Sequence, residues 1–228
     1  MKNLSLHFLI VISFSVLSCN NDDDGNPEPQ MGFFPSTIAF TEISGAAVEI
    51  DFTYDTNNRI SSITAPFASF ELEYNSNGLI NEIIDYSEND VYTMTYDGDI
   101  LTSITIQDSG ELIPVSYSNG TYSLNSAVFS SNEQNMVVDF NGSAITYVNI
   151  PGPFANLKFQ PALLISTEFF PYAVYLFSAH EIATMEYVFS GVTYTFTTVR
   201  DANNNIVLAE SFDEWGGEGI DYAIAYEF

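Results

Sequence analysis

From residue 48 to residue 148 the chain alternates apolar and polar positions with a period of two. Val48, Ile50, Phe52 and Tyr54 fall on one side of an extended chain, with Glu49, Asp51 and Thr53 on the other. Phe70, Leu72 and Tyr74 stand in the same way against Glu71 and Glu73, and Tyr92, Met94 and Tyr96 against Val91, Thr93 and Thr95. Such alternation predicts half-buried β-strands. Five stretches align with one another: FTYDTNNRISSI (52–63), LEYNSNGLINEI (72–83), MTYDGDILTSI (94–104), VSYSNGTYSL (115–124) and VDFNGSAITYV (138–148). Their aromatic anchors Tyr54, Tyr74, Tyr96, Tyr117 and Phe140 are 20, 22, 21 and 23 residues apart, so one supersecondary unit is repeated. Between the flanks lie Asp, Asn, Ser and Gly, residues that accept positive φ or bond their own backbone, as hairpin turns require. After the turn the aliphatics stand three apart in four units (Ile60/Ile63, Ile80/Ile83, Leu101/Ile104, Ile145/Val148). That spacing breaks strict alternation and predicts a bulge or a turn-edge residue.

The expected fold is all-β: an antiparallel meander of repeated hairpins forming a long curved sheet or partly closed barrel. The pattern Tyr-Asp-x-x-Asn/Gly-Arg/Leu-Ile-x-x-Ile resembles the YD repeat of Rhs-type and teneurin-type shells. More closely it resembles the YD-repeat-like surface lipoproteins of Bacteroidota, whose activity is not established. In those, an Asn-Pro-Phe-like segment and an apolar stretch interrupt the hairpins; Asn149 to Phe154 and Ala162 to Phe177 occupy that place here. Arg200-Asp201-Ala202-Asn203-Asn204-Asn205-Ile206 follows as a degenerate sixth repeat, and the likeness covers residues 48–210. Pro161 can open a short helix over Ala162–Thr167 and Pro171 would stop it. The expectation for 160–180 is therefore a short helix and apolar loop over one face or end of the sheet. A membrane-dipping role for Phe169-Phe170-Pro171-Tyr172 is a secondary reading.

The first residues change the picture. Lys2 precedes an apolar run from Leu4 to Leu17, too short to span a bilayer as a helix, which needs roughly 20 residues. A basic start, a short apolar middle and a small residue form a secretory signal peptide. Val16-Leu17-Ser18-Cys19 resembles a bacterial lipobox, in which the Cys19 thiol, the only one in the chain, takes a diacylglyceryl group. Asn20 to Pro29 is too polar and proline-bearing to order itself. Asp22, Asp23 and Asp24 after the lipidated cysteine resemble the export signal of Bacteroidota surface lipoproteins. The expected organisation is a signal peptide over 1–18, a lipidated acidic tether over 19–36 and a single β domain over 37–228. The expected address is the outer membrane, lipid-anchored, facing the exterior.

Removing residues 1–18 from 228 leaves 210, with 30 acidic residues against Arg59, Lys158 and Arg200, a formal charge of −27. A chain of this size can bury a sizeable core without disulfides. So acidic a surface repels phosphate backbones and excludes nucleic acid as a partner. Asp97-Gly98-Asp99 and Asp22-Asp23-Asp24-Gly25-Asn26 offer oxygens for weak Ca2+ association, yet neither carries a complete calcium loop. His180-Glu181 begins like a zinc-protease helix, but Thr184 stands where the second histidine belongs. No nucleophile elbow, phosphate loop or dinucleotide fingerprint occurs. The carboxylate pairs Glu71/Glu73, Asp97/Asp99 and Asp213/Glu214 read as solvated faces rather than as a glycosidase dyad.

Catalytic, cofactor and metal residues are therefore expected to be none. The leading expectation is a non-catalytic surface module that binds a glycan or protein, or serves an envelope structural role. The alternative is an integral outer-membrane β-barrel, suggested by Ile220, Tyr222, Ile224, Tyr226 and the terminal Phe228. A glycosidase-like enzyme is the second alternative. The tyrosine anchors form a ladder that is expected to be core, or, if exposed, a platform for sugar rings.

Overall fold

The computed structural model describes residues 34–42, 47–124, 127–132, 136–155, 157, 160–165, 179–187, 191–213 and 222–228. The strands are β1 (Thr37–Glu42), β2 (Val48–Tyr54), β3 (Ile60–Ala65), β4 (Ala68–Tyr74), β5 (Ile80–Asp85), β6 (Asp90–Asp97), β7 (Ile100–Ile106) and β8 (Leu112–Ser118). There follow β9 (Thr121–Leu124), β10 (Ala127–Ser131), β11 (Val137–Phe140), β12 (Ser143–Pro151), β13 (His180–Tyr187), β14 (Val192–Arg200), β15 (Ile206–Asp213) and β16 (Tyr222–Glu227). Each pairs antiparallel with its chain neighbours, and β1 pairs with β16 from Thr37↔Glu227 to Glu42↔Tyr222. The meander is thus a closed sixteen-stranded barrel without a free edge.

The inward positions are those the alternation selects. Ile38, Ile50, Phe52, Phe70, Leu72, Ile83, Met94, Ile104, Phe129, Ile145, Phe196 and Ile224 are all buried. Round barrels of this strand number leave an aqueous channel. Here these inward side chains are closed to water and belong to one hydrophobic cluster, so among the described residues the interior is packed with apolar side chains. The chain after β12 helps fill the interior. Phe154 is fully buried, edge-on to Phe52 at 5.7 Å, and Ala162 is fully buried in a 3-10 turn over Pro161–Ile165. That turn stands where a short helix is expected over Ala162–Thr167; residues 166–178, with Phe169-Phe170-Pro171-Tyr172, lie outside the described residues.

Outward positions carry Glu49, Asp51, Thr53, Glu71, Glu73, Thr95, Thr195 and Thr197, all exposed. Hydroxyl pairs tie neighbouring strands across this wall, such as Thr146–Thr184 at 2.6 Å and Thr121–Ser130 at 2.8 Å. Phe34, the first described residue, stacks on Tyr54 at 5.1 Å, and Pro35 is fully buried. Both fall within the stretch 19–36 read from sequence as tether.

Bulges occur where the aliphatics are three apart. Register shifts between Thr53 and Tyr54, Glu73 and Tyr74, and Thr95 and Tyr96 leave Ser61, Asn81 and Thr102 as the extra residues. Both aliphatics of each pair then face inward. The fifth unit is a correction. Phe140 and Ser143 flank the two-residue turn Asn141-Gly142 with no bulge, so Ile145 and Tyr147 point inward and Val148 is exposed. The repeat equivalent to the others is instead Phe129 to Phe140, with Asn132 opening its loop, a shift between Ser130 and Ser131, and Val137 and Phe140 buried. Its anchor position holds Ser131, so an aromatic spacing could not find it.

Candidate functional site: the barrel mouth

Loops after even-numbered strands share one barrel end, because every neighbouring pair is antiparallel. Three of them are built alike. The Asp55 amide donates to the Arg59 carbonyl, and the Asp55 carboxylate accepts from the Asn57 and Arg59 amides at 2.9 Å. Asn75 repeats this toward Asn77 and Leu79, and Asp201 toward Asn203 and Asn205. Each loop needs one left-handed residue, supplied by Asn58 (φ 59°), Gly78 (φ 77°) and Asn204 (φ 67°). The sixth repeat read from Arg200 to Ile206 is therefore a true loop homologue of the first.

These loops position the residues that follow the turn. Leu79 and Met136 close their loops and are buried at the barrel end. The equivalent residue of the first loop is Arg59. Its Nε donates to Asp55 Oδ2 at 2.7 Å, and its guanidinium lies 4.2 Å from the centroid of the Tyr74 ring. Slight burial opposes the Asp55 charge, but hydrogen bonds from the Arg59 side chain and backbone and from the Asn57 amide outweigh it and lower its pKa.

Across the mouth, the segment after β12 supplies Gln160, which is buried. Its amide donates to the Gly78 carbonyl at 3.1 Å and its oxygen accepts from the Ile80 amide at 3.4 Å. Between this segment and the first two loops lies a cavity of about 310 Å³. Asn57, Asn58 and Arg59 form its lip; Ile60, Tyr74, Leu157, Gln160 and Leu163 form much of its wall. The sequence reading missed this cavity, because Leu157, Gln160 and Leu163 in its wall come from a stretch with no periodicity.

A second polar group lies at the same end. Arg200 pairs with Glu181 at 2.7 Å, Thr198 donates to the other Glu181 oxygen at 2.6 Å, and Arg200 also donates to the Pro151 and Asn204 carbonyls. Both described arginines are thereby committed within the molecule.

The tyrosine ladder is internal. Tyr54, Tyr74 and Tyr96 donate to the carbonyls of Pro35, Ile60 and Ile80, and Tyr147 to that of Val137. Burial raises the pKa of all four phenols. Tyr117 departs from the expected ladder: it keeps the inward parity but stands at the rim, 42% exposed, against its buried cross-strand partner Tyr122 at 4.5 Å.

Other sequence candidates are dispersed. Glu71 and Glu73 project from the outer wall, Glu71 accepting the Tyr86 hydroxyl at 2.6 Å, and neither lines the cavity. His180 opens a strand rather than a helix, with Nδ1 3.3 Å from the Val148 carbonyl. Asp97 and Asp99 flank Gly98 in the exposed β6–β7 turn. Among the described residues no three His, Cys, Asp or Glu side chains gather as metal ligands. Cys19, Asp22, Asp23, Asp24 and Glu214 lie outside the described residues.

No protein-family model matches the sequence, and no curated protein matches it, so the YD-repeat likeness rests on the repeated motifs alone. Among solved structures the chain is similar to a porin-like protein from Bacteroides uniformis ATCC 8492. The TM-score is 0.46 with 16% identity, over 86% of this chain and 98% of that one.

Proposed function

We propose that the chain is a non-catalytic β-barrel module, held at the outer membrane by a lipid on Cys19 and standing in water, with its mouth as the binding end. The observation that carries this reading is the polarity of the wall. A barrel that crosses a membrane turns an apolar band outward and keeps a polar interior. Here the apolar residues face inward and Glu49, Asp51, Glu71 and Glu73 face outward. A charged side chain on a lipid-facing wall costs up to a few kcal/mol near the bilayer midplane, and this wall carries two such side chains on each of β2 and β4. Lipid on Cys19 and the acidic residues Asp22, Asp23 and Asp24 supply the anchor and the outward address. The partner is a glycan or a protein, and the acidic surface disfavours nucleic acid.

A second reading, the integral outer-membrane barrel, draws on the closure of an even number of strands. Cys19→Ala separates the two. A tethered barrel leaves the membrane fraction on flotation and is extracted by carbonate. A Cys19→Ala protein that floats with membranes and resists carbonate is an integral barrel.

A further inference from the structure

We propose that the mouth cavity binds a neutral sugar ring, held at the lip by Asn57, Asn58 and Arg59. This deepens the reading of the mouth as the binding end and rests on it. Four observations converge. The first is a departure from the repeat. Two sister loops close the barrel end with buried Leu79 and Met136 and a third with half-buried Asn205, while the first loop places Arg59 at that position and a cavity opens beside it. The second is size, since about 310 Å³ lies at the lower end of small-molecule sites, which run from roughly 300 to 1,000 Å³.

The third is the chemistry of the lining. Asn57 and Asn58 each carry a donor and an acceptor, which matches hydroxyl groups that both give and take hydrogen bonds. Ile60, Leu157 and Leu163 offer an apolar surface for the C–H face of a pyranose. Gln160 and the Tyr74 hydroxyl are already satisfied by backbone, so they shape the wall rather than reach for ligand.

The fourth is charge. The Arg59 guanidinium is neutralised by Asp55, its Nε and Nη2 both turned to Oδ2. Its Nη1 stands beside Gly78, about 4.0 Å from where a Cβ there would lie. The pair lines the cavity without net charge, inside a molecule of formal charge −26. The field of the whole molecule disfavours anions, and the paired guanidinium adds no net charge to draw them in. With anions disfavoured, the amide lip and apolar wall match an amphipathic, hydroxyl-bearing ring.

The test uses the full chain, purified in detergent, on an array of neutral, uronic-acid-bearing and amino-sugar-bearing oligosaccharides. Asn57→Ala removes one lip amide. Asn58→Gly removes the other while keeping the left-handed backbone. Arg59→Leu copies Leu79. The expected result is a signal confined to neutral glycans, weakened about tenfold by each single lip variant, as for loss of one or two hydrogen bonds to ligand. Thermal melting, run in parallel, should stay within a few degrees of the parent for all three, because the loop's backbone hydrogen bonds survive. Preference for acidic or amino sugars overturns the assignment. So does a neutral-glycan signal that the folded variants leave unchanged, or a folded protein with no signal. Flotation of Cys19→Ala decides the tethered-barrel reading separately, so either proposal can fall alone.

Discussion

At the scale of single residues, the tyrosines act as struts between successive hairpins. Each hydroxyl reaches the backbone of the preceding unit, at Ile60, Ile80 and Val137 for Tyr74, Tyr96 and Tyr147. Tyr74→Phe keeps the ring and leaves the Ile60 carbonyl without its donor, which should cost about 1–2 kcal/mol in urea denaturation. Tyr86→Phe, at a 60% exposed site on the outer wall, should change stability by less than about 0.5 kcal/mol. Equal losses would remove the strut role. The same phenols set an alkaline limit. Burial raises their folded pKa values above the ordinary phenol value of 10.0, so the unfolded chain loses protons first. Their contribution is intact below pH 10 and declines as pH climbs beyond it. Asp55 and Asp201 have lowered pKa values, Asp201 chiefly through the Asn205 amide. Their contribution is present above the ordinary carboxylate value of about 3.9 and is lost as pH falls below it. Asp55→Asn should therefore flatten the acid limb of a melting-temperature profile and leave the alkaline limb unchanged.

At the scale of elements, the hairpin was legible in the sequence because two periodicities meet in it. Strict alternation gives the strands, and a three-residue step such as Ile60/Ile63 gives the bulge that restores the inward face. Where the chain uses a two-residue turn without a bulge, the step is not needed. Asn141-Gly142 is such a turn, and aligning it with the longer loops put Val148 on the wrong face. The Phe129–Phe140 unit stayed hidden for the complementary reason, since Ser131 fills the aromatic position while the loop and bulge are retained. Loop hydrogen bonds thus outlast the tyrosine as the unit's invariant. Tight turns also carry packing. Gly120 has φ +81°, and a Cβ there would stand 3.0 Å from the Ser131 carbonyl oxygen on the next strand pair. Gly98 has φ +60° and nothing within 4 Å. Both Gly→Ala changes carry about 1 kcal/mol of left-handed backbone cost, but Gly120→Ala should lose roughly 1 kcal/mol more. Matched losses in chemical denaturation would show that the β9–β10 side gives way freely.

At the scale of the whole molecule, closure was the feature least accessible to sequence. Pairing of β1 with β16 joins residues about 190 apart, and a strand at an open edge would show the same alternation. The apolar segment after β12 was visible only as a covering loop; its role inside the barrel depends on Phe154 meeting Phe52. What the sequence did foretell is the sign of the exterior. Thirty acidic residues against four basic ones, with both described arginines paired, leave a wall that repels itself. Self-repulsion of this kind opposes the compact state and is screened by salt, whose Debye length falls from about 30 Å at 0.01 M to about 10 Å at 0.1 M. The melting temperature should therefore rise by several degrees over that range in sodium chloride. Divalent cations should do more than sodium at equal ionic strength, because they gather at a dense negative surface. Calcium and magnesium should be interchangeable if they only condense there. A saturable rise with calcium that magnesium does not reproduce would instead mark a dedicated site among the turn aspartates, Asp97 and Asp99 first. Asp97→Asn with Asp99→Asn would then abolish the calcium-specific part while leaving the sodium response in place.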